Sequence, residues 1–219
     1  MTSFFISNKR RILEILAVLL TALGKFIFMD YLNQRFLFVV IVLLAWTSYI
    51  IYRSRTEKKI MNYWGFRMDN FQIVTRKVLL FGILAVIAFL GIGFYQGTIN
   101  ITWHIIPILI FYPIWGVIQQ FLLIALIAGN LQDMNGQHLN KVFVILFSAL
   151  LFASVHYPFV WLIIGTFGLA LFYGFIYLKE RNIYVLGLFH GWLGGLFYYT
   201  VLDRDPFLET FGKLIYGPS

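Results

Sequence analysis

The stretch ITWHIIPILIFYPIWGVIQQFLLIALIA, residues 101–128, contains no Asp, Glu, Lys or Arg. About 20 apolar residues in a helix cross a hydrocarbon core, so this run is long enough to span a membrane. Six further apolar runs flank it, at 12–29, 36–52, 78–95, 142–155, 158–178 and 183–202. Composition agrees: 61% of residues are hydrophobic and 12% charged, far from the balance of a soluble domain. The expected fold class is therefore all-α, a polytopic transmembrane helix bundle of about seven spans. The run at 142–155 is short for a crossing and Pro158 marks a break after it, so a tilted or partly re-entrant helix is expected there.

The chain divides into N-terminal transmembrane helices over 1–100, a core over 101–202 and a C-terminal tail over 203–219. No small-residue cleavage site follows the first apolar run, so that run is expected to remain as an anchor. With no cysteine in the sequence, disulfides, thiolate metal sites and cysteine nucleophiles are excluded, and any metal must use nitrogen and oxygen ligands.

The net charge of +8 is distributed as a membrane topology requires rather than as a nucleic-acid site. Thirteen of the 17 basic residues fall before the first span, between the second and third, before the fifth, and between the sixth and seventh. Only Lys25, Arg35, Arg204 and Lys213 lie on the other side. Basic loops stay in the cytoplasm, so the N-terminus is expected inside and the C-terminus outside, in a bacterial cytoplasmic membrane, with lipids as partners and no nucleic acid. The segment 53–77 mixes its charges with Tyr63, Trp64, Phe66 and Phe71 and reads as an interfacial segment on the inner leaflet.

Three places in the apolar runs carry polar groups. Gln119 and Gln120 sit side by side in the fourth run, about 100° apart on a helix, and two amides so placed cannot both face lipid cheaply. A transmembrane amide most often bonds a neighbouring helix. His156 ends the fifth run, where an imidazole can also meet water at the headgroup level. His190 lies about two turns inside the seventh run, beside glycines that let backbones or a ligand approach closely. Ionisable groups at membrane depth normally mark a site, and two on separate spans suggest a shared centre. That centre lacks a carboxylate, because no Asp or Glu occurs between Asp69 and Asp133.

Taken together, these residues resemble the CPBP family of intramembrane metalloproteases, also called CAAX prenyl protease and bacteriocin-processing (Abi) proteins. Its members carry a Glu-Glu-x-x-x-Arg type motif, then Phe-x-x-x-His, then His-x-x-x-Asn or Asp, on successive core helices. Phe152 and His156 match the second motif; Gly168, Gly174, Tyr177, Asn182, Ile183, Tyr184, His190 and Gly191 look like the run that follows. The resemblance covers roughly 105–200 and implies that 101–202 is a CPBP core. It also implies that one glutamate activates water, and that histidines with a carboxylate hold a catalytic metal, thought to be zinc.

Here Gln119 and Gln120 stand at the glutamate positions, Ile124 at that of the arginine, and Gly194 where Asn or Asp is expected. Gln has no titrating proton near neutrality and cannot act as base, and it is a weak metal ligand. A catalytic zinc usually takes three protein ligands, whereas only His156 and His190 remain. The expected activity is thus a protease homologue, weak or inactive, that binds a transmembrane or lipidated peptide. The alternatives are an active metal-dependent endopeptidase of CAAX or bacteriocin-processing type, and a small transporter. The last is disfavoured because the two halves show no repeat and no pair of broken helices.

Overall fold

The computed structural model describes residues 6–136 and 139–217, and no strand occurs among them. Helix α1 (Asn8–Lys25) continues into wider π-helical turns over Phe26–Tyr31 and is followed by α2 (Arg35–Thr56), α3 (Ile60–Trp64) and α4 (Phe71–Gln96). Helix α5 (Ile105–Gln120) becomes π-helical over Phe121–Gly129 and ends in the short α6 (Asn130–Gln132). Then come α7 (Lys141–Ser154), α8 (Val160–Glu180), α9 (Ile183–Thr200) and α10 (Pro206–Tyr216).

Helices α7, α9 and α10 start where polar side chains satisfy the otherwise unpaired first-turn amides. Asn140 accepts from the Val142 amide at the head of α7, and Asn182 accepts from Val185 at the head of α9. Asp205 accepts from Phe207 and Leu208 at the head of α10, with Pro206 in the first turn. Gly65, at φ 89°, ends α3 in the left-handed conformation, and a Cβ there would lie 2.8 Å from the Arg181 carbonyl carbon.

Among the described residues, five helices are long and apolar enough to cross a membrane: Asn8–Tyr31, Arg35–Thr56, Phe71–Gln96, Ile105–Gln132 and Val160–Glu180. The remaining two of the seven apolar runs depart from a simple span for different reasons. Helix α7 is only 14 residues long, and the chain then turns through His156 and Pro158 into α8, against which α7 packs. Helix α9 has 18 residues and is diluted by His190 and its glycines; it fills the middle of the bundle, between α5 and α4.

The α5–α9 seam is built from missing side chains. A Cβ on Gly116 would collide with the Gly187 carbonyl oxygen, and one on Gly187 with the Val117 backbone. A Cβ on Gly191 would collide with Pro113, and one on Gly195 would lie 2.8 Å from Ile108. Gly187, Gly191 and Gly195 recur every fourth residue, one stripe of α9, so the two backbones run in direct contact.

At the end of the bundle that holds most of the basic residues, the segment 53–77 turns Ile60, Trp64 and Phe66 into the bundle and leaves charges such as Lys58, Lys59 and Lys77 exposed. Trp64 is fully buried, its ring centroid 4.9 Å from that of Phe121, and Phe66 packs on the same ring. Physically, both rings fill the hole beside the π-helical stretch, a contact that composition could not distinguish from an interfacial belt. Arg11, just before the first apolar run, and Glu14, inside it, are buried as well. Glu14 accepts from Tyr49 and from Asn130 Nδ2 (2.7 Å), and Arg11 donates to Tyr63 and to Asn130 Oδ1. Asp133 pairs with Arg181 and accepts from Tyr63.

The opposite end is closed by α10, a helix where the sequence suggested only a tail. Glu209 pairs with Arg35 at 2.9 Å and also with Arg204, Lys213 donates to the Asn33 carbonyl, and the Phe36 and Phe211 rings meet at 5.8 Å. Asp205 accepts from His104 (2.6 Å), Thr102 and Tyr199. Burial alone would raise its carboxyl, but these hydrogen bonds and that of the Leu208 amide hold it below the usual carboxylate range.

Candidate functional site

Both amides of the Gln pair face the bundle interior, and both reach the same side chain. Gln120 is fully buried and its Nε2 lies 3.0 Å from His190 Nδ1; Gln119 Oε1 lies 3.0 Å from His190 Nε2. The imidazole is therefore held between two adjacent residues of one helix, each addressing one ring nitrogen. The glycine seam makes this possible, since it brings the α9 backbone close enough to α5 for short amide side chains to flank the ring. The π-helical turns begin at the next residue, Phe121. Such turns are rare and often fall at functional sites.

The hydrogen-bond chemistry fits a neutral imidazole. Gln120 donates to Nδ1, and the Nε2–H of His190 donates to the Gln119 carbonyl oxygen. No lone pair on His190 is left over. Gln120 Oε1 is buried without a hydrogen-bond partner, at the position where the CPBP resemblance puts a carboxylate.

His156 enters from the turn after α7. Its Nδ1–H donates to the Phe152 carbonyl at 2.7 Å, one helical turn back, which fixes the tautomer and leaves Nε2 with a free lone pair. The Phe152 ring stands between the two histidines, with centroids 4.9 Å from His156 and 5.5 Å from His190. The imidazoles are thus no further apart than those two distances laid end to end. Gln119, Gln120, Phe152, His156 and His190 form one cluster drawn from α5, α7 and α9. A straight α7 would carry His156 deeper than its partners; because the helix ends at Ser154, the turn swings the ring back to their level.

Gly194, one turn beyond His190, is the sixth residue singled out by the sequence. A Cβ built there meets nothing within 4 Å. The place for a side chain exists, although the side chain does not.

The cluster forms one wall of a cavity of about 470 Å³, onto which Gln119, Phe152 and His156 open. The remaining walls were not legible in the sequence: Val18 to Lys25 of α1, the first turns of α2, and Tyr112 and Tyr198 at the seam. Apolar residues that face lipid and apolar residues that face a cavity look alike in a sequence, so α1 and α2 carry no signal of this role.

The zinc implied by the resemblance does not suit this donor set. His156 Nε2 is free, His190 has both nitrogens engaged by amides, and no three His, Asp or Glu side chains come together among the described residues. What the cavity does present is a hydrogen-bond pair, the free N–H groups of the Gln119 amide and the His156 Nε2 acceptor.

Comparison with known proteins agrees with the order of these elements. Residues 101–195, from the approach to α5 through the middle of α9, match the family described as type II CAAX prenyl endopeptidase Rce1-like. No curated protein and no solved structure shows a significant match to the chain. The matched segment carries α5, the Phe152–His156 turn and the His190 seam in one piece, and over this core the chain is similar to the Rce1-like type II CAAX prenyl endopeptidases.

Proposed function

We propose that this protein is a CPBP-type membrane protein that holds an apolar membrane peptide or a lipidated peptide in its cavity and cleaves it weakly or not at all. One observation carries the reading: both nitrogens of His190 are taken up by Gln119 and Gln120. A metal-assisted hydrolase needs a metal to acidify water and a base to move its proton, and loss of the base alone commonly lowers the rate by about 10²- to 10⁴-fold. Amides supply neither. They do supply a complement to an intact peptide group, whose C=O can accept from Gln119 and whose N–H can donate to His156 Nε2.

The competing reading, an active zinc endopeptidase, has one feature in its favour. His156 is oriented through Nδ1 by a backbone carbonyl, as metal-bound histidines commonly are. Elemental analysis of the purified protein, beside a His156→Ala/His190→Ala variant, separates the two. The expected result is zinc well below one per chain in both, with no difference in cleavage of a membrane peptide. One zinc per wild-type chain, lost in the variant together with peptide cleavage, would establish the endopeptidase instead.

A further inference from the structure

We infer that the cavity is entered from the end of the molecule that carries α10, opposite the basic loops, and that the ion pairs of Glu209 hold α10 across its mouth. The inference rests on the reading of this cavity as the ligand site and concerns the side from which an apolar peptide segment reaches it.

The walls carry the argument. The cavity is bounded by residues 18–25 of α1, 35–43 of α2, 108–123 of α5, 151–162 of the α7–α8 turn, Tyr198 of α9 and Thr210 and Phe211 of α10. Helices α1, α2, α7, α8 and α9 contribute only the part nearer the α10 end, and α5 lines the cavity from Ile108 to Leu123. That end is fixed by contacts across the fold: Lys213 with Asn33, Arg35 with Glu209, and His104 with Asp205. Toward the basic end the cavity stops at Gln119, Leu122 and Leu123. Beyond them Phe121 and residues 124–128 are each 1% exposed or less, packed with the fully buried Trp64 and Tyr177. A chain arriving along α5 from the basic end would have to unpack this core, and the smaller cavity at that end, beside Glu14, Trp46 and Tyr49, shares no lining residue with this one; a chain arriving from the other end meets Lys25, Asp30, Arg35 and the α10 face.

Helix α10 is suited to act as the closing piece. It is a short helix with little buried surface of its own, and Pro206 is its buried residue. Its first turn is anchored by Asp205 to His104, Thr102 and Tyr199 and by Phe207 stacked on His104, while its body is held by partly exposed groups, Glu209 to Arg35 and Phe211 to Phe36. Ion pairs of this exposure are worth about 0.2–1 kcal/mol, weak enough to open and strong enough to bias the closed position.

The sequence contains no cysteine, so single cysteines report access cleanly. Ala22→Cys, and independently Thr210→Cys, place a thiol on the cavity wall. Leu208→Cys marks the α10 end and Thr56→Cys the basic end. In membrane vesicles of known orientation, a charged, membrane-impermeant thiosulfonate should modify both wall positions from the side that modifies Leu208→Cys, and not from the side that modifies Thr56→Cys. Glu209→Gln should raise the rate at the wall positions by roughly two- to fivefold, the factor that loss of the Arg35 pair across to α2 allows, since the Arg204 pair lies within the same segment. Modification from the Thr56→Cys side overturns the inference. So does modification by an uncharged alkylmaleimide alone, which would mean entry sideways from lipid, and so does a wall thiol that neither reagent reaches. Zinc content and peptide cleavage play no part in these measurements, so a working protease could still load from the α10 end.

Discussion

At the level of single residues, the difference between Gln and Glu decides what His190 can do. A neutral imidazole has one N–H and one acceptor nitrogen, and an amide can serve either. Two carboxylates in the same places could only accept, leaving one ring nitrogen to take up a proton or a metal ion. Gln119→Glu/Gln120→Glu is therefore expected to bind more zinc than the wild type, and adding Gly194→Asp should raise occupancy further because that Cβ meets open space. Bound zinc should also raise thermal stability, by roughly 2.7 kcal/mol at a metal concentration a hundredfold above Kd. Elemental analysis and thermal unfolding in detergent, with and without zinc, check both. If the triple variant binds no more zinc than the wild type, the cavity has lost its metal geometry as well as its ligands. Ile124, fully buried where the resemblance expects an arginine, is expected to keep peptide cleavage low even in that variant.

At the level of elements, the position of His190 follows from the backbone contact between α5 and α9. Gly191→Ala should destabilise the protein by about 1–3 kcal/mol, because its methyl group would meet Pro113 and push the helices apart. Gly194→Ala, three residues on, should be neutral or stabilising, since it relieves a glycine in a helix without touching anything. Thermal unfolding of the two variants side by side is the check; equal losses would show that the seam tolerates separation. Much of this was legible in the sequence: the apolar runs gave the helices, the motif spacing gave Phe152, His156 and His190 on neighbouring elements, and the glycines suggested close approach. Other elements were not. The π-helical stretch after Gln120 has no compositional mark, because an all-apolar run reads the same whether its turns are wide or narrow. Trp64 and Phe66 look like an interfacial belt until the hole they fill is seen. Helix α10 passes for a tail because its cap, Asp205, gains its full meaning only from His104 and Tyr199, about 100 and 6 residues away.

Across the whole molecule, the contacts sort the loops into two groups in the same way as the basic residues do. Residues near 11, 63, 133 and 181 meet at one end, and those near 33, 35, 104, 205 and 213 at the other. Reporter fusions after Lys59 and at Ser219 should therefore report opposite sides of the membrane, with the Lys59 fusion cytoplasmic. Finding both on one side would overturn the orientation or the odd number of crossings. The contacts at the basic end also bear on how the chain is made. Glu14 is carried by α1, which is made before α5, and an acidic group left alone at the centre of a membrane helix costs roughly 2.5–3.5 kcal/mol on insertion scales, an upper bound for Glu14 in the second turn of α1. Tyr49 on the second helix satisfies one carboxylate oxygen, but the other waits for Asn130, 116 residues further along. Glu14 therefore gains its full set of partners only once α5 and its π-helical extension have been made, and α1, although synthesised before them, settles into its final place together with them.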